Sequence, residues 1–276
     1  MIVDLLVDIL TMSQDTGKCR TNLKDQFYTK ASVAKECIKN IKEQIKDYSK
    51  YQWLEPSAGN GAFLTRGCIA LDIDPKHKRV IKQDFLNYTP SGEKPILTYG
   101  NPPFGKQSSL AKSFIKHAAS FSSIIALILP RSFVKPSMSR AFPKQFHCIY
   151  MKELDKDSFE VNSSSYDVPC VFQIWIKKDT DRSEEVKAEP TGFTYVKSVE
   201  SYDITIRRVG INAGTTLIKG KKVSPQSHYF IKLDDIEKIG SVIEKMNKHI
   251  FPSNTVGPRS LSKGEISSIL NEIVSI

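Results

Sequence analysis

Residues 54–63 are Leu54-Glu55-Pro56-Ser57-Ala58-Gly59-Asn60-Gly61-Ala62-Phe63, and they directly follow Tyr51-Gln52-Trp53. The segment from Tyr51 to Leu54 predicts a short buried strand, and the two glycines allow a sharp turn into a helix beginning near Ala62. Strand, glycine turn and helix form the ligand-binding unit of open α/β sheets. The alternative is a plain tight strand–helix connection, because a lone Gly-x-Gly is a weak signal.

The spacing of the glycines also argues against one ligand class. A dinucleotide-binding turn needs a third glycine three positions after the second. That position is Leu64 in this chain. The sequence therefore disfavours NAD as the ligand of the turn.

A second motif, Asn101-Pro102-Pro103-Phe104, follows a predicted buried strand over residues 96–99. The Asn101 side-chain oxygen and the Pro102 carbonyl can each accept one N–H of a planar amino group. That pairing frees the nitrogen lone pair, and Phe104 offers a stacking surface to a flat ring. The motif predicts a site for methylation of an exocyclic or amide nitrogen, although a proline-punctuated turn is the alternative.

In this order and spacing, the two motifs resemble motifs I and IV of the S-adenosylmethionine-dependent amino-methyltransferases, specifically the DNA adenine-N6 group. Residues 25–30, Asp-Gln-Phe-Tyr-Thr-Lys, resemble motif X of that group. The resemblance covers about residues 23–178 and has the gamma order, in which target recognition follows the catalytic domain. It implies an α/β, Rossmann-like class I methyltransferase fold with a seven-stranded, mostly parallel sheet and a small C-terminal α+β segment.

The resemblance also assigns roles to individual residues. For S-adenosylmethionine it implies contacts from motif X, the glycine turn, the ends of the second and third strands, and motif IV: Tyr28, Thr29, Glu55, Pro56, Ser57, Ala58, Gly59, Asn60, Gly61, Asp72, Ile73, Asp84, Phe85 and Asn101. Thr29 would meet the cofactor carboxylate, Asp72 the ribose and Asp84 the adenine amino group. Asp74 is the rival of Asp72 for the ribose, and the structural alternative is a solvated aspartate at the strand end. The catalytic residues would be Asn101, Pro102, Pro103 and Phe104, and no metal is implied.

Other residues are predicted to contact the nucleic acid. Phe159 corresponds to the aromatic residue of motif VIII, with Tyr166 as a competitor and a core phenylalanine as the alternative. Residues 204–232 contain six lysines and arginines and no acidic residue, in a glycine-rich segment that predicts short strands. Such a segment could contact phosphates, or it could be a solvated charged face. The residues predicted to bind substrate are Phe104, Lys106, Phe159, Arg207, Arg208, Lys221 and Lys222.

Composition agrees with a nucleic-acid partner. The chain has 276 residues, 40% of them hydrophobic, and a formal net charge of +10. A basic protein of this kind favours a polyanion, and the resemblance implies double-stranded DNA, with a cognate endonuclease as a further partner in restriction–modification. Five widely spaced cysteines without Cys-x-x-Cys indicate neither a zinc site nor a disulfide framework, and favour a reducing, intracellular compartment.

The predicted organisation has four parts. Residues 1–22 form an N-terminal helical extension, because the apolar start carries two aspartates and no basic leader, which argues against a signal peptide. Residues 23–178 form the catalytic domain, 179–190 a charged linker, and 191–276 a small target-recognition region. No segment is long enough to span a membrane.

Three other functions compete with DNA adenine methylation. An RNA adenine methyltransferase would use the same motifs. A protein glutamine methyltransferase usually has tyrosine after Asn-Pro-Pro, and a non-catalytic relic would not need Asn101 or Gly59. Pro169-Cys170 resembles the nucleophile pair of cytosine-C5 methyltransferases, but it lies inside an apolar strand pattern, so we reject that chemistry.

Overall fold

The computed structural model describes residues 28–161, 164–183, 188–197, 201–252 and 259–275. The predicted helix over residues 1–22 and the first part of motif X lie outside these residues. The chain forms two compact units, one ending at Ser183 and the other running from Glu184 to Ile276.

The first unit contains a central seven-stranded sheet. Its strands and those of a small accessory sheet are, in chain order, β1 (Tyr28–Thr29), β2 (Gln52–Glu55), β3 (Ile69–Asp72), β4 (Ile81–Lys82), β5 (Ile96–Gly100), β6 (Ser122–Pro130), β7 (Phe146–Glu153), β8 (Phe159–Val161), β9 (Ser164–Tyr166) and β10 (Cys170–Lys177). The central order is β4-β3-β2-β5-β6-β10-β7. The pairs from β4 to β6 are parallel, and β10 is antiparallel to both of its neighbours. The predicted α/β, Rossmann-like fold with a seven-stranded, mostly parallel sheet is confirmed.

Two helices of the first unit pack their apolar faces into this core. Helix α1 (Ala31–Gln44) buries Ala34, Cys37 and Ile41, as its helical spacing predicts. Helix α2 (Ser109–Ala119) follows the Asn-Pro-Pro-Phe segment and buries Phe114 and Ile115 among others. Strand β6, which lies between β5 and β10 in the central sheet, is almost entirely buried, as expected of a central strand that is covered on both faces.

The helix predicted to begin near Ala62 does not form. Residues 62–67 form turns between the glycine turn and β3. Six residues make fewer than two turns of helix. Gly67 also has φ of +77°, a left-handed conformation that ends any helical path. The prediction was wrong because the connection to β3 is too short to hold a helix and a return.

The chain between β7 and β10 contributes two strands, β8 and β9, to the small accessory sheet. Strands β8 and β9 make an antiparallel hairpin, and β1 pairs with β8 so that Thr29 lies opposite Phe159. The hairpin holds the described part of motif X against the first unit through main-chain hydrogen bonds, including Lys30 N–H to Ser158 O at 3.1 Å.

The second unit has its own sheet and core. Strands β11 (Phe193–Val196), β12 (Ile204–Arg207), β13 (Thr216–Ile218) and β14 (His228–Leu233) form an antiparallel sheet in the order β11-β14-β12-β13. Helices α3 (Ile239–Lys248) and α4 (Lys263–Val274) share a buried core with this sheet that includes Ile204, Ile231 and Val242. Within the described ranges, none of the helices has the length and apolar character needed to cross a bilayer.

Candidate active site

A cavity of about 470 Å³ opens at the carboxyl ends of the parallel strands in the first unit. The chain proceeds from β2 outward to β3 and β4, whereas β5 leads to β6 on the other side. The sheet order therefore reverses between β2 and β5, and ligands of open α/β sheets bind at that position. The loops that follow these two strands meet there, since Ser57 Oγ donates to Asn101 O at 3.0 Å.

The cavity is lined by the glycine turn, the ends of β3 and β4, and the Asn-Pro-Pro-Phe segment. Its lining residues are Tyr28, Thr29, Pro56, Ser57, Ala58, Gly59, Asn60, Ala62, Phe63, Asp72, Ile73, Asp74, Asp84, Phe85, Leu86, Asn101, Pro102, Pro103, Phe104, Leu110 and Phe114. The four residues predicted to be catalytic are all among them. So are twelve of the fourteen residues predicted to bind the cofactor, the exceptions being Glu55 and Gly61.

Glu55 lies behind the cavity wall. Its side chain is fully buried, and a Cβ atom at Gly100 would overlap its carboxylate. Oε1 accepts from Ser57 N–H at 3.2 Å, whereas Oε2 has no hydrogen-bond partner among the described residues. Burial raises the pKa of this carboxyl well above its usual range, and the nearby Asp72 carboxylate raises it further. Glu55 thus supports the backbone immediately before Asn101 and does not face the cavity.

The glycines of the turn determine its backbone conformation. The N–H of Gly59 donates to Asp72 Oδ2 at 2.7 Å, and that of Gly61 donates to Ala58 O at 2.7 Å. Gly59 has φ of +48°, and a Cβ atom there would lie 3.1 Å from the Tyr28 ring. Glycine therefore lets the turn bend beneath Tyr28, while its N–H groups are bonded within the protein and not directed at a ligand.

Asp72 ends β3 at the cavity, as expected. Its Oδ1 accepts from Asp74 N–H at 2.7 Å, so both carboxylate oxygens hold backbone N–H groups. Each oxygen still has a lone pair that can accept from a ligand. Asp74 also lines the cavity, but its Oδ2 forms an ion pair with Lys76 Nζ at 3.0 Å. Asp72 is thus the more firmly oriented of the two acceptors.

Thr29 brings a buried hydroxyl to the cavity. The residue is 6% exposed, and its Oγ1 has no hydrogen-bond partner within the described part of the chain. Leaving a buried hydroxyl unsatisfied costs about 1–3 kcal/mol. A ligand that accepts from Thr29 would remove this penalty.

The end of β4 supplies an acceptor and an aromatic ring. Asp84 accepts from Leu86 N–H at 2.9 Å and from Asn87 Nδ2 at 3.0 Å, which fixes its carboxylate at the start of a 3₁₀ turn. Phe85 packs 5.0 Å from Phe114, centroid to centroid. Phe114 and Leu110 are lining residues that the sequence argument missed, although their i, i+4 apolar spacing after the motif was a usable signal.

Several predicted substrate contacts lie elsewhere. Lys106 is exposed and lies outside the lining, as does Gly61, a predicted cofactor contact. Phe159 is completely buried in the core of the first unit and does not line the cavity, so the structure supports the core alternative and not a stacking surface. No side-chain placement is described for its competitor Tyr166.

The predicted phosphate contacts of the C-terminal region belong to the second unit. Arg207, at the end of β12, donates from Nε to Val209 O at 3.0 Å, and the Arg208 guanidinium lies 5.4 Å from the Tyr229 ring centroid. Lys221 and Lys222 are exposed between β13 and β14. Their contact with a nucleic acid stays a prediction.

Cys170 lies at the start of β10 and is 2% exposed. Burial raises the pKa of its thiol well above the usual range. A buried neutral thiol is neither accessible nor nucleophilic, which argues against the cytosine-C5 chemistry.

The lining of the cavity is acidic. It contains the carboxylates of Asp72, Asp74 and Asp84 and, among the described residues, no lysine or arginine. The other walls are largely apolar or aromatic, and Ile73 is an apolar side chain left 66% exposed. The cavity volume falls within the range of about 300–1,000 Å³ that is usual for small-molecule sites. Such a cavity fits a ligand that carries positive charge together with a flat apolar ring.

No protein-family model and no curated protein sequence matches the chain. Solved structures give weak similarities. A proposed RNA methyltransferase from Pyrococcus horikoshii is 14% identical, with a match covering 64% of this chain and 99% of that chain and a TM-score of 0.44. A proposed methyltransferase from Escherichia coli is 12% identical, with coverages of 54% and 86% and a TM-score of 0.39.

A third similar structure is magnesium protoporphyrin IX methyltransferase from Synechocystis, solved with S-adenosylmethionine. It is 9% identical, with coverages of 53% and 80% and a TM-score of 0.33.

Proposed function

We propose that this protein is an S-adenosylmethionine-dependent methyltransferase that methylates N6 of adenine in DNA. One observation carries the proposal: the glycine turn and the Asn101–Phe104 segment line one acidic and aromatic cavity at the reversal point of the sheet. An amine-holding segment beside a pocket suited to a cationic, ring-bearing ligand is what methyl transfer to an amino group requires.

The residues of the lining fit this cofactor. The Thr29 hydroxyl would donate to its carboxylate, which would satisfy the buried oxygen. Asp72 would accept from the ribose hydroxyls, and Asp84 from the adenine amino group. Phe85 and Ile73 would pack on the adenine ring, and the three carboxylates would favour the positive sulfonium.

S-Adenosylmethionine, when bound, supplies an electrophilic methyl group. The protein then has to present the acceptor nitrogen. Asn101 Oδ1 and the Pro102 carbonyl would each accept one N–H of the target amine, and Phe104 would stack on the base. Holding the nitrogen in line with the methyl–sulfur bond at about 3 Å would be the main catalytic contribution.

Adenine in a duplex cannot enter this cavity while it is stacked. Rotating the base out of the helix costs a few kcal/mol, and the contacts with Asn101, Pro102 and Phe104 would offset that cost. The substrate would therefore be bound as a distorted duplex, with one base in the cavity and the rest of the DNA outside it.

The test is the Asn101→Ala variant in a radiolabelled methyl-transfer assay with duplex DNA and structured RNA as alternative substrates. We expect transfer to DNA to fall by about 10²–10³-fold or more, because one of two positioned acceptors is lost. S-Adenosylmethionine binding, measured by calorimetry, should persist, because Thr29, Asp72 and Asp84, which would make the main polar contacts with the cofactor, are unchanged. Sequencing plasmid DNA from cells that express the protein should reveal N6-methyladenine.

Three results would overturn parts of this proposal. Absence of cofactor binding by the wild-type protein would exclude an enzyme of this class. Methyl transfer to RNA and not to DNA would show that the substrate is RNA. Undiminished turnover by the alanine variant would remove Asn101 from the reaction.

A further inference from the structure

A second cavity of the first unit has a chemistry unlike that of the candidate active site. It measures about 490 Å³ and lies between α2 and the 3₁₀ segment Pro136–Ala141. We call it the basic groove and define it by six of its lining residues: Lys112, Lys116, Ser137, Met138, Arg140 and Pro143.

The basic groove concentrates positive charge that no carboxylate of the described residues neutralises. Lys112, Lys116 and Arg140 are all exposed, and none forms an ion pair with a carboxylate in the described ranges. The lining includes no aspartate or glutamate. Three like charges around one depression repel each other, so a bound polyanion would stabilise the arrangement.

The wall of the groove is held in a fixed shape. Arg182 donates from Nη2 to the carbonyls of Ser139 and Phe142, at 2.7 and 2.9 Å. Its Nη1 donates to the carbonyls of Pro143 and Phe146, at 2.6 and 2.8 Å. One side chain thus anchors four positions of the segment that carries Arg140, so the groove is formed before any ligand binds.

Helix α2 connects the basic groove with the candidate active site. Leu110 and Phe114 line the active-site cavity, whereas Lys112 and Lys116 line the groove. Each pair is four residues apart and therefore forms one stripe of the helix. The two lysines are separated by about 6 Å along the helix axis. A ligand along the groove would contact the same rigid helix that closes the catalytic cavity.

We propose that the basic groove binds the sugar–phosphate backbone of the DNA substrate, an inference that rests on the proposed function. Lys112, Lys116 and Arg140 would contact phosphates, and the Ser137 hydroxyl would donate to a phosphate oxygen. Met138 and Pro143 would pack against deoxyribose. The cations are exposed and spread over a helix and a loop, which suits a polyanion better than a single small anion enclosed by donors. These contacts are independent of base sequence, so they would position the duplex while other residues read it.

The experiment measures duplex DNA binding by the full-length triple variant Lys112→Gln, Lys116→Gln, Arg140→Gln over a range of salt concentrations. Losing up to three phosphate contacts should reduce the slope of log K against log salt by about 2.7 and raise Kd at 0.1 M salt by about tenfold or more. The matched control is Lys35→Gln, Lys46→Gln, Lys94→Gln, which removes the same charge from exposed lysines outside the groove. We expect the control to keep most of the wild-type slope, and both variants to bind S-adenosylmethionine as the wild type does.

A groove variant whose salt slope and affinity equal those of the control would overturn the proposal. That result is distinguishable from failure of the proposed function. In the first case the wild-type protein still methylates DNA, whereas in the second it neither binds nor methylates DNA. Weakened binding of RNA alone, with DNA binding unchanged, would also overturn the groove's assignment to DNA.

Discussion

Glu55 is a buried acid whose protonation links stability to pH. Burial raises its pKa in the folded protein well above the value of about 4.3 that we expect when the chain is unfolded. The folded state therefore binds more protons than the unfolded state above that pH, and the free energy of unfolding falls as pH rises through this window. The stabilising contribution is complete only below the unfolded pKa.

Glu55→Gln keeps the shape of the side chain and removes its charge. We expect the variant to be more stable than the wild type at neutral pH, with a difference that shrinks as pH falls toward 4. Urea unfolding from pH 4 to 8 measures it, and Glu93→Gln, at an exposed carboxylate, controls for the loss of one charge. Parallel stability curves for wild type and Glu55→Gln would contradict the pKa shift.

Gly100 precedes the catalytic segment and makes close contact with Glu55. It has φ of +132°, and an added Cβ would overlap the Glu55 carboxylate. Gly100→Ala should lower the free energy of unfolding by about 3 kcal/mol or more, because it combines backbone strain with overpacking. Gly67→Ala is the matched control, since Gly67 also has a positive φ but no heavy atom within 4 Å of the added Cβ.

A double-mutant cycle separates the two causes. In a Glu55→Ala background, the loss of unfolding free energy caused by Gly100→Ala should fall close to that caused by Gly67→Ala, because the overlapping carboxylate is gone. Chemical denaturation measures the free energy of unfolding of the wild type, the two single variants and the double variant. Strict additivity of the two substitutions would show that the contact is not the source of the effect.

At the scale of elements, Arg182 holds the segment that forms one wall of the basic groove. Its guanidinium bonds four carbonyls and lies 5.6 Å from the Trp175 ring. Lysine keeps the charge but lacks the planar fork, so Arg182→Lys should increase amide exchange in residues 139–146 by about tenfold. It should also weaken DNA binding, while S-adenosylmethionine binding persists.

Arg79→Lys provides the control for this substitution, because the Arg79 side chain makes one hydrogen bond among the described residues, to Thr65 O at 2.8 Å. Hydrogen exchange detected by mass spectrometry measures the amide exchange rates of both variants. Unchanged exchange in residues 139–146 of Arg182→Lys would refute the tethering role.

At the scale of the whole molecule, each of the two units has its own hydrophobic core. The core of the first unit runs from Ala34 to Trp175, and that of the second from Phe193 to Leu270. All residues lining the candidate active site lie between Tyr28 and Phe114. A chain ending at Ser183 should therefore fold cooperatively and bind S-adenosylmethionine within about twofold of the full-length affinity.

The same truncated chain should lose DNA methylation, because the predicted target-recognition region is absent. Calorimetry for the cofactor and the methyl-transfer assay for DNA give the two readouts. A truncated chain that unfolds without a cooperative transition would contradict the independence of the first unit.

The sequence alone determined the fold class and the meeting of two motifs in one cavity. Both follow from local chemistry: glycines permit the turn after β2, prolines fix the segment after β5, and buried apolar runs define the strands between them. Because the carboxyl ends of parallel strands lie at one edge of a sheet, the sequence assigns residues far apart in the chain to a common site.

Tertiary packing decided the rest. The short connection before β3 excluded the predicted helix, the hairpin buried Phe159, and Glu55 turned toward Gly100 instead of the cavity. The basic groove combines one face of α2 with a loop that Arg182 anchors from a distant position in the chain. Burial and side-chain direction depend on contacts between segments remote in sequence, and a local pattern carries no information about those contacts.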